Sequence, residues 1–329
     1  MARSRRSILR LLGGIAVYQT LPFTEALAQS YPVRPINLIV GYAAGGATDI
    51  TARIVGQKLS EILGQPVIIR NQPGASTMLA TETVARSAAD GYTLLLIPIS
   101  TAVYSGLREK LPYNLERDLA PVSLVATGPF LLLVNSSAPP RSVKELIELA
   151  QSRPGEINAA SPGVGSAPHL VLELFKAMAK ADIVHIPYKG ELPADLAVAA
   201  GEVKMAFSSL AGAQALLKSG KITALAVTGA KRLSSLPSVP TLDESGLTGF
   251  DYSSWFGISA PANVPQNIIM SLNSAIGKAV QSLEIKENLN KQGFEPKAST
   301  PEEFAAVIGR EIKRTVSVAQ MAKLKLELE

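Results

Sequence analysis

The chain has 329 residues, 47% of them hydrophobic and 18% charged, which suits one large or two medium α/β domains and excludes a disordered chain. Its formal charge of +5 falls to about +2 once residues 1–28, with four Arg and one Glu (+3), are set aside; no Lys/Arg stripe with interleaved aromatics follows, so nucleic acid is not an expected partner. The absence of cysteine excludes a thiol nucleophile, a Cys-ligated metal and a lipid-modified N-terminal Cys.

Residues 1–28 read as an export signal. Arg3, Arg5, Arg6 and Arg10 precede the apolar stretch Leu11–Val17, and Ala26-Leu27-Ala28 is a small-x-small cleavage site. Ser4-Arg5-Arg6-Ser7-Ile8-Leu9 also fits the twin-arginine pattern, so both export routes stay open. Beyond the signal no apolar run reaches the roughly 18–20 residues that span a bilayer, and a soluble, unanchored periplasmic protein is expected.

The mature chain alternates β-branched runs with helical stretches, which predicts parallel sheets covered by helices. Ile36–Val40 reads as a strand and residues 41–47 as a turn. A helix from Thr48 follows, with Ile50, Ile54, Val55, Leu59 and Ile62 on one face; Gly64 ends it, and Pro66–Arg70 is the next strand. Asp90-Gly91 turns the chain into a strand over Tyr92–Ile97. A second series starts with a strand at Phe130–Val134, then a helix from Val143, a strand at Ile157–Ala160 and a helix from His169. Strands at Ile183–Ile186, Met205–Ser208 and Ala224–Thr228 continue it, with a helix over Leu192–Ala200. The Pro-rich segment Leu236–Leu242 precedes a strand at Trp255–Ser259 and helices near 265–283 and 301–320.

Two strand-to-helix loops stand out as ligand sites. In the first, residues 41–49, Gly45 and Gly46 let backbone approach a ligand, Thr48 or Asp49 can cap the helix, and the helix start favours an anion. The second, residues 161–169, repeats this physics, with the hydroxyls of Ser161 and Ser166 beside Gly163 and Gly165. Facing each other, two such loops can hold a carboxylate with backbone donors and no arginine. Neither is a dinucleotide or phosphate-loop fingerprint. His169 either contacts ligand or caps its helix, whereas His185, in an apolar strand, reads as a core residue. Trp255 can wall a cleft or pack half-buried. Ser100 lies just past a strand end, where open α/β sheets place ligand groups. No G-x-S-x-G and no metal-ligand spacing occurs, so neither catalysis, cofactor nor metal is expected.

Taken in order, the motifs resemble one family, the Bug-type substrate-binding proteins of tripartite tricarboxylate transporters. The matching stretches are Tyr31–Ile36, Gly45–Asp49, Asn71-Gln72-Pro73-Gly74-Ala75, Asp90–Leu94, the second loop with His169, Pro187-Tyr188-Lys189-Gly190, Leu225–Thr228, Pro237–Thr241, Trp255-Phe256-Gly257 and Ala260-Pro261. The resemblance implies the type II periplasmic-binding fold, with two α/β lobes around a ligand cleft. Residues 29–128 and 253–329 would form one lobe and residues 129–252 the other. It also implies a monomeric receptor that passes a small carboxylate to membrane permease subunits; a ligand sensor for a signalling partner and, less favoured, an exported hydrolase are the alternatives. The ligand-binding set expected is Tyr42, Gly45, Gly46, Ala47, Thr48, Asp49, Ser100, Ser161, Gly163, Gly165, Ser166, His169, Tyr188, Ser208 and Trp255. The chain departs from the family pattern at Ala44, where proline is usual, at Ser76-Thr77 in place of glycines, and at Ala197, where aspartate is common and Asp195 lies two residues earlier.

Overall fold

A computed structural model describes residues 31–108, 110–137 and 140–321; the expected export segment lies outside the described residues. Two mixed sheets organise the chain. The first is built from β1 (Ile36–Val40), β2 (Val67–Asn71), β3 (Thr93–Pro98), β4 (Leu119–Pro129), β10 (Ser253–Pro261) and β11 (Glu295–Pro296), in the order β11-β4-β10-β3-β1-β2. The second contains β5 (Leu131–Asn135), β6 (Ile157–Ser161), β7 (Ile183–Pro187), β8 (Met205–Ser208) and β9 (Ile222–Val227), in the order β7-β6-β8-β5-β9.

The fully parallel sheets expected from the alternating pattern are not what forms. β10 runs antiparallel to both β3 and β4, and β5 runs antiparallel to both β8 and β9. The reason is where the chain crosses. β4 and β9 end on the side where β1, β3, β6 and β8 end, so a strand that begins there must run backwards. β5 follows β4 through the single residue Phe130, and β10 follows β9 through a loop that returns at Tyr252.

Helices cover both sheets. On the first sheet lie α1 (Ala47–Leu63), α2 (Met78–Ala85), α3 (Ile99–Leu107) and the short α4 (Leu115–Asp118). The second carries α5 (Val143–Ser152), α6 (Ala167–Ala179), α7 (Glu191–Ala200) and α8 (Leu210–Lys218); α9 (Gln266–Gln281), α10 (Leu283–Lys291) and α11 (Pro301–Met321) close the chain. α1 buries Ala52, Val55 and Leu59, packs on α9 and α10, and stops at Gly64 in the left-handed conformation (φ 66°) that glycine adopts without a Cβ penalty. α11 lies against α3 and β4 and also reaches α6 of the second sheet. Its Phe304 packs so tightly on β10 that a Cβ on Gly257 would sit 2.1 Å from the ring.

The two crossings are tied together by one side chain. Thr228, fully buried, accepts the Phe130 N–H on its hydroxyl (2.8 Å) and donates that hydroxyl to the Tyr252 carbonyl (2.6 Å). Its own N–H and C=O pair with Phe130 and Tyr252 as well. No described helix is long and apolar enough to cross a membrane.

Candidate functional site: a cleft between the strand-end loops

The strand ends of the two sheets face a cleft of about 870 Å³. Its walls come from the loops after β1, β2 and β3 on one side and after β6 and β7 on the other, the arrangement that makes open α/β sheets bind ligands at their carboxyl edges. Five rings face it, those of Tyr42, Tyr104, Phe130, Tyr188 and Phe256. The charged residues in its lining are Arg108, Lys189 and Glu191.

Of the expected ligand set, Tyr42, Gly46, Ala47, Thr48, Ser100, Gly163 and Tyr188 line this cleft. Burial pushes the Tyr42 phenol up to about 12, and the nearby Glu191 carboxylate adds to this while the Ser100 hydroxyl opposes it. The remaining expected residues are not part of the lining, and most have other tasks. Gly45, at φ 92°, donates its N–H to Asp49. Asp49 is no cap through its own N-cap position, and Thr48 is not one either: Gly46 is the N-cap of α1, without a side-chain bond. Instead Asp49 is a buried staple, bridging Arg53 at 2.9 Å and the Asn71 amide at 2.9 Å. The Arg53 hydrogen bonds and the Gly45 and Asn71 donors hold its carboxyl below the usual range, against the opposing effect of burial, which is the largest single influence.

The second loop consumes most of its own donors. Gly163 N–H goes to Ser161, Gly165 N–H to His169 Nδ1, Ser166 N–H to the Gly163 carbonyl, and His169 N–H to the Ser166 hydroxyl that caps α6. The expected nest of free backbone donors is therefore largely absent from this side. Gly165 is required for a different reason: φ is 78°, and a Cβ would meet the Tyr104 ring at 2.8 Å across the cleft. His169 and His185 stack at 4.0 Å, with His185 Nε2 2.6 Å from the Ser161 hydroxyl. Burial, then its histidine neighbour and Lys176, lowers His169 to about 3; burial and Lys176 lower His185 to about 4. Both rings are held toward the neutral form, and His169, outside the lining, accepts the Gly165 N–H just before α6, a role at the helix start rather than against a solute.

Trp255 also turns away, packing edge-on against Phe304 at 5.5 Å. Successive strand residues point to opposite faces, and in β10 it is Ser254 and Phe256 that face the cleft. Ser208 is fully buried beneath the lining, which its neighbour Ser209 reaches instead.

Two functional-looking groups escaped the sequence reading, Arg108 and Glu191. Ser100 and Tyr104, one turn apart, share the cleft side of α3, and Arg108 follows at its C-cap, where the backbone has become extended. Its Nε is buried without a hydrogen-bond partner among the described residues, while its guanidinium carbon lies 4.8 Å from the Tyr104 ring centre. Glu191, the first residue of α7, crosses the cleft. Its carboxylate accepts the Ser209 N–H (2.6 Å), the Ser208 hydroxyl (3.1 Å) and, from the other sheet's side, the Ala47 N–H that opens α1 (3.3 Å). Two further bonds span the cleft, Ser76 Oγ to the Val164 carbonyl (3.1 Å) and the Ala167 N–H to Ser100 Oγ (3.1 Å). Behind Glu191, Asp195 Oδ2 lies 2.7 Å from the same Ser208 hydroxyl. One hydroxyl proton cannot serve both carboxyls. Burial, reinforced by Glu191, pushes Asp195 well above the usual carboxylate range despite the Ser208 bond, so of the two it is the carboxyl that takes up a proton more readily; carrying one, it can donate to Ser208 and leave the Ser208 proton for Glu191. Among the described residues no cluster of His, Asp or Glu has metal-binding geometry.

The comparisons with known proteins fit this architecture. Protein BugT of Bordetella pertussis is 38% identical over 98% of this chain and 100% of its own length. The structure of R. palustris Rpa4515 with adipate superposes with a TM-score of 0.86 at 36% identity, over 89% of this chain and 98% of that one. MatC from Rhodopseudomonas palustris with bound malate gives 0.82 at 32%, over 88% and 99%. The family described as the tripartite tricarboxylate transporter family receptor matches residues 51–324. With its two mixed α/β sheets and the fold of the Bug periplasmic binding proteins, the chain belongs to the tripartite tricarboxylate transporter receptor family.

Proposed function

We propose that this protein is an extracytoplasmic receptor that captures a small carboxylate in the cleft and hands it, as a monomer, to the permease subunits of a tripartite transporter. The observation that carries the reading is Arg108 in the lining of the cleft, whose buried Nε has no hydrogen-bond partner among the described residues. A desolvated guanidinium nitrogen without a partner calls for an anion. Relatives that hold adipate and malate support the same chemistry. Tyr42, Gly46, Thr48, Ser100, Gly163 and Tyr188 then surround the solute. Contacts drawn from both sides exist only when the cleft is closed, so binding shifts the population toward closure.

The test is a thermal-shift screen of the purified protein against mono-, di- and tricarboxylates, amino acids and aromatic acids. A bound solute at one hundred times its dissociation constant adds about 2.7 kcal/mol of stability. Stabilisation by carboxylates and not by their amides supports the receptor; a flat response to every acid refutes it.

A further inference from the structure

The cleft brings its own acid. Glu191 sits where an incoming anion would otherwise meet the α1 start, with the Ala47 N–H at 3.3 Å, and is fixed from behind by Ser209 and Ser208. The pocket around it is shaped for this side chain: a Cβ on Gly212 would lie 2.7 Å from the Glu191 carboxyl carbon, and one on Gly46 would lie 3.8 Å from its Oε2. One anion position of the cleft is therefore occupied by the chain itself. Of the two cations in the lining, Arg108 and Lys189, Arg108 has a buried Nε with no hydrogen-bond partner among the described residues and is left for the solute's carboxylate. The rest of the lining is mainly apolar and ring-rich, with Tyr42, Tyr104, Phe130, Tyr188 and Phe256.

We infer that Glu191 is a selectivity residue that makes this a single-acid site: the favoured solute carries one carboxylate on an apolar, ring-bearing body, and a second carboxylate is excluded. The inference rests on the receptor reading above and narrows it. A second solute carboxylate reaching the α1 start would stand beside Glu191 in a cleft lined mainly by apolar groups, and like charges so placed repel. An uncharged ring edge at that end meets no such opposition, and faces aromatic walls suited to stacking and edge contacts.

The experiment is calorimetry with twin ligands that differ only in the second acid: 4-methylbenzoate against terephthalate, and hexanoate against adipate. The wild-type protein should bind each monoacid roughly tenfold or more tightly than its diacid twin, with 4-methylbenzoate ahead of hexanoate. Glu191→Gln keeps the shape and removes the charge, so it should narrow the gap between twins by strengthening the diacids; Glu191→Ala, with folding checked by its melting curve, should do the same. Diacids that match or beat their twins in the wild type, or a ratio that Glu191→Gln leaves unchanged, would overturn the selectivity role while leaving the receptor intact. Binding of none of the four acids would remove the single-acid proposal and count against carboxylate capture as well.

Discussion

Two buried titratable groups in this protein oppose each other in pH. For Asp195 the folded pKa lies above the unfolded value, because burial and Glu191 disfavour its charge. Its cost to stability is absent below the unfolded pKa near 4 and grows as pH rises toward the folded value. The stacked His169–His185 pair has folded values of about 3 and about 4, below the unfolded 6.5. Its contribution is whole above pH 6.5 and is lost as pH falls from there toward 4. Asp195→Asn, which can still donate to Ser208, should raise the melting temperature at pH 7 and converge on the wild type near pH 4. His185→Gln should flatten the acid side of the curve without abolishing it, since His169 still titrates, and the double variant should combine the two changes. Melting curves from pH 4 to 8 decide it: an Asp195→Asn protein that gains nothing at pH 7 would mean the carboxyl is not held protonated.

At the level of elements, the loop after β2 carries the clearest local tension. Ala75, Ser76 and Thr77 follow one another at φ 44°, 49° and 83°, a run that L-residues avoid. Ser76 offsets its cost by donating to the Val164 carbonyl across the cleft. Ser76→Ala keeps the strain and loses the bond, and should destabilise by about 1 kcal/mol. Ser76→Gly loses the same bond but relieves the backbone by about 1 kcal/mol, so it should melt close to the wild type. Scanning calorimetry that ranks Ala at or above Gly would show that the left-handed conformation does not hold in solution. The sequence pointed to this loop through its departure from glycine at Ser76-Thr77, but not to the bond across the cleft. Most strands and long helices were likewise legible, because period and punctuation are local signals: β1, the Gly64 stop and α11 all lie where the pattern puts them. β4 was not, since Leu119–Pro129 is rich in Ala, Ser, Thr and Pro and is buried only because β10 and β11 flank it. The cleft followed the same rule. Loops that announce themselves with glycine, such as residues 41–46, reach it, while Arg108 and Glu191 carry no local signature. Only the approach of α3 and α7 across the fold gives those two side chains their chemistry.

The whole molecule turns on the two crossings between its sheets. If the cleft opens and closes, φ and ψ must change where β4 becomes β5 and where the chain returns before β10, since these are the covalent links between the sheets. Thr228 clasps both, with one hydroxyl joining the Phe130 N–H to the Tyr252 carbonyl and its own backbone pairing with each. Thr228→Val keeps the shape but leaves a buried N–H and a buried C=O without that partner, which should cost about 2–3 kcal/mol. Thr228→Ser, which restores the hydroxyl, should recover most of it. Because the clasp holds the crossings at a fixed spacing, its loss should also broaden the open population. In solution scattering the unliganded Val variant should then show a larger radius of gyration than the Ser variant, and saturating solute should bring the two together. Equal radii without solute would place the hinge elsewhere in the chain and leave Thr228 as a residue of stability alone.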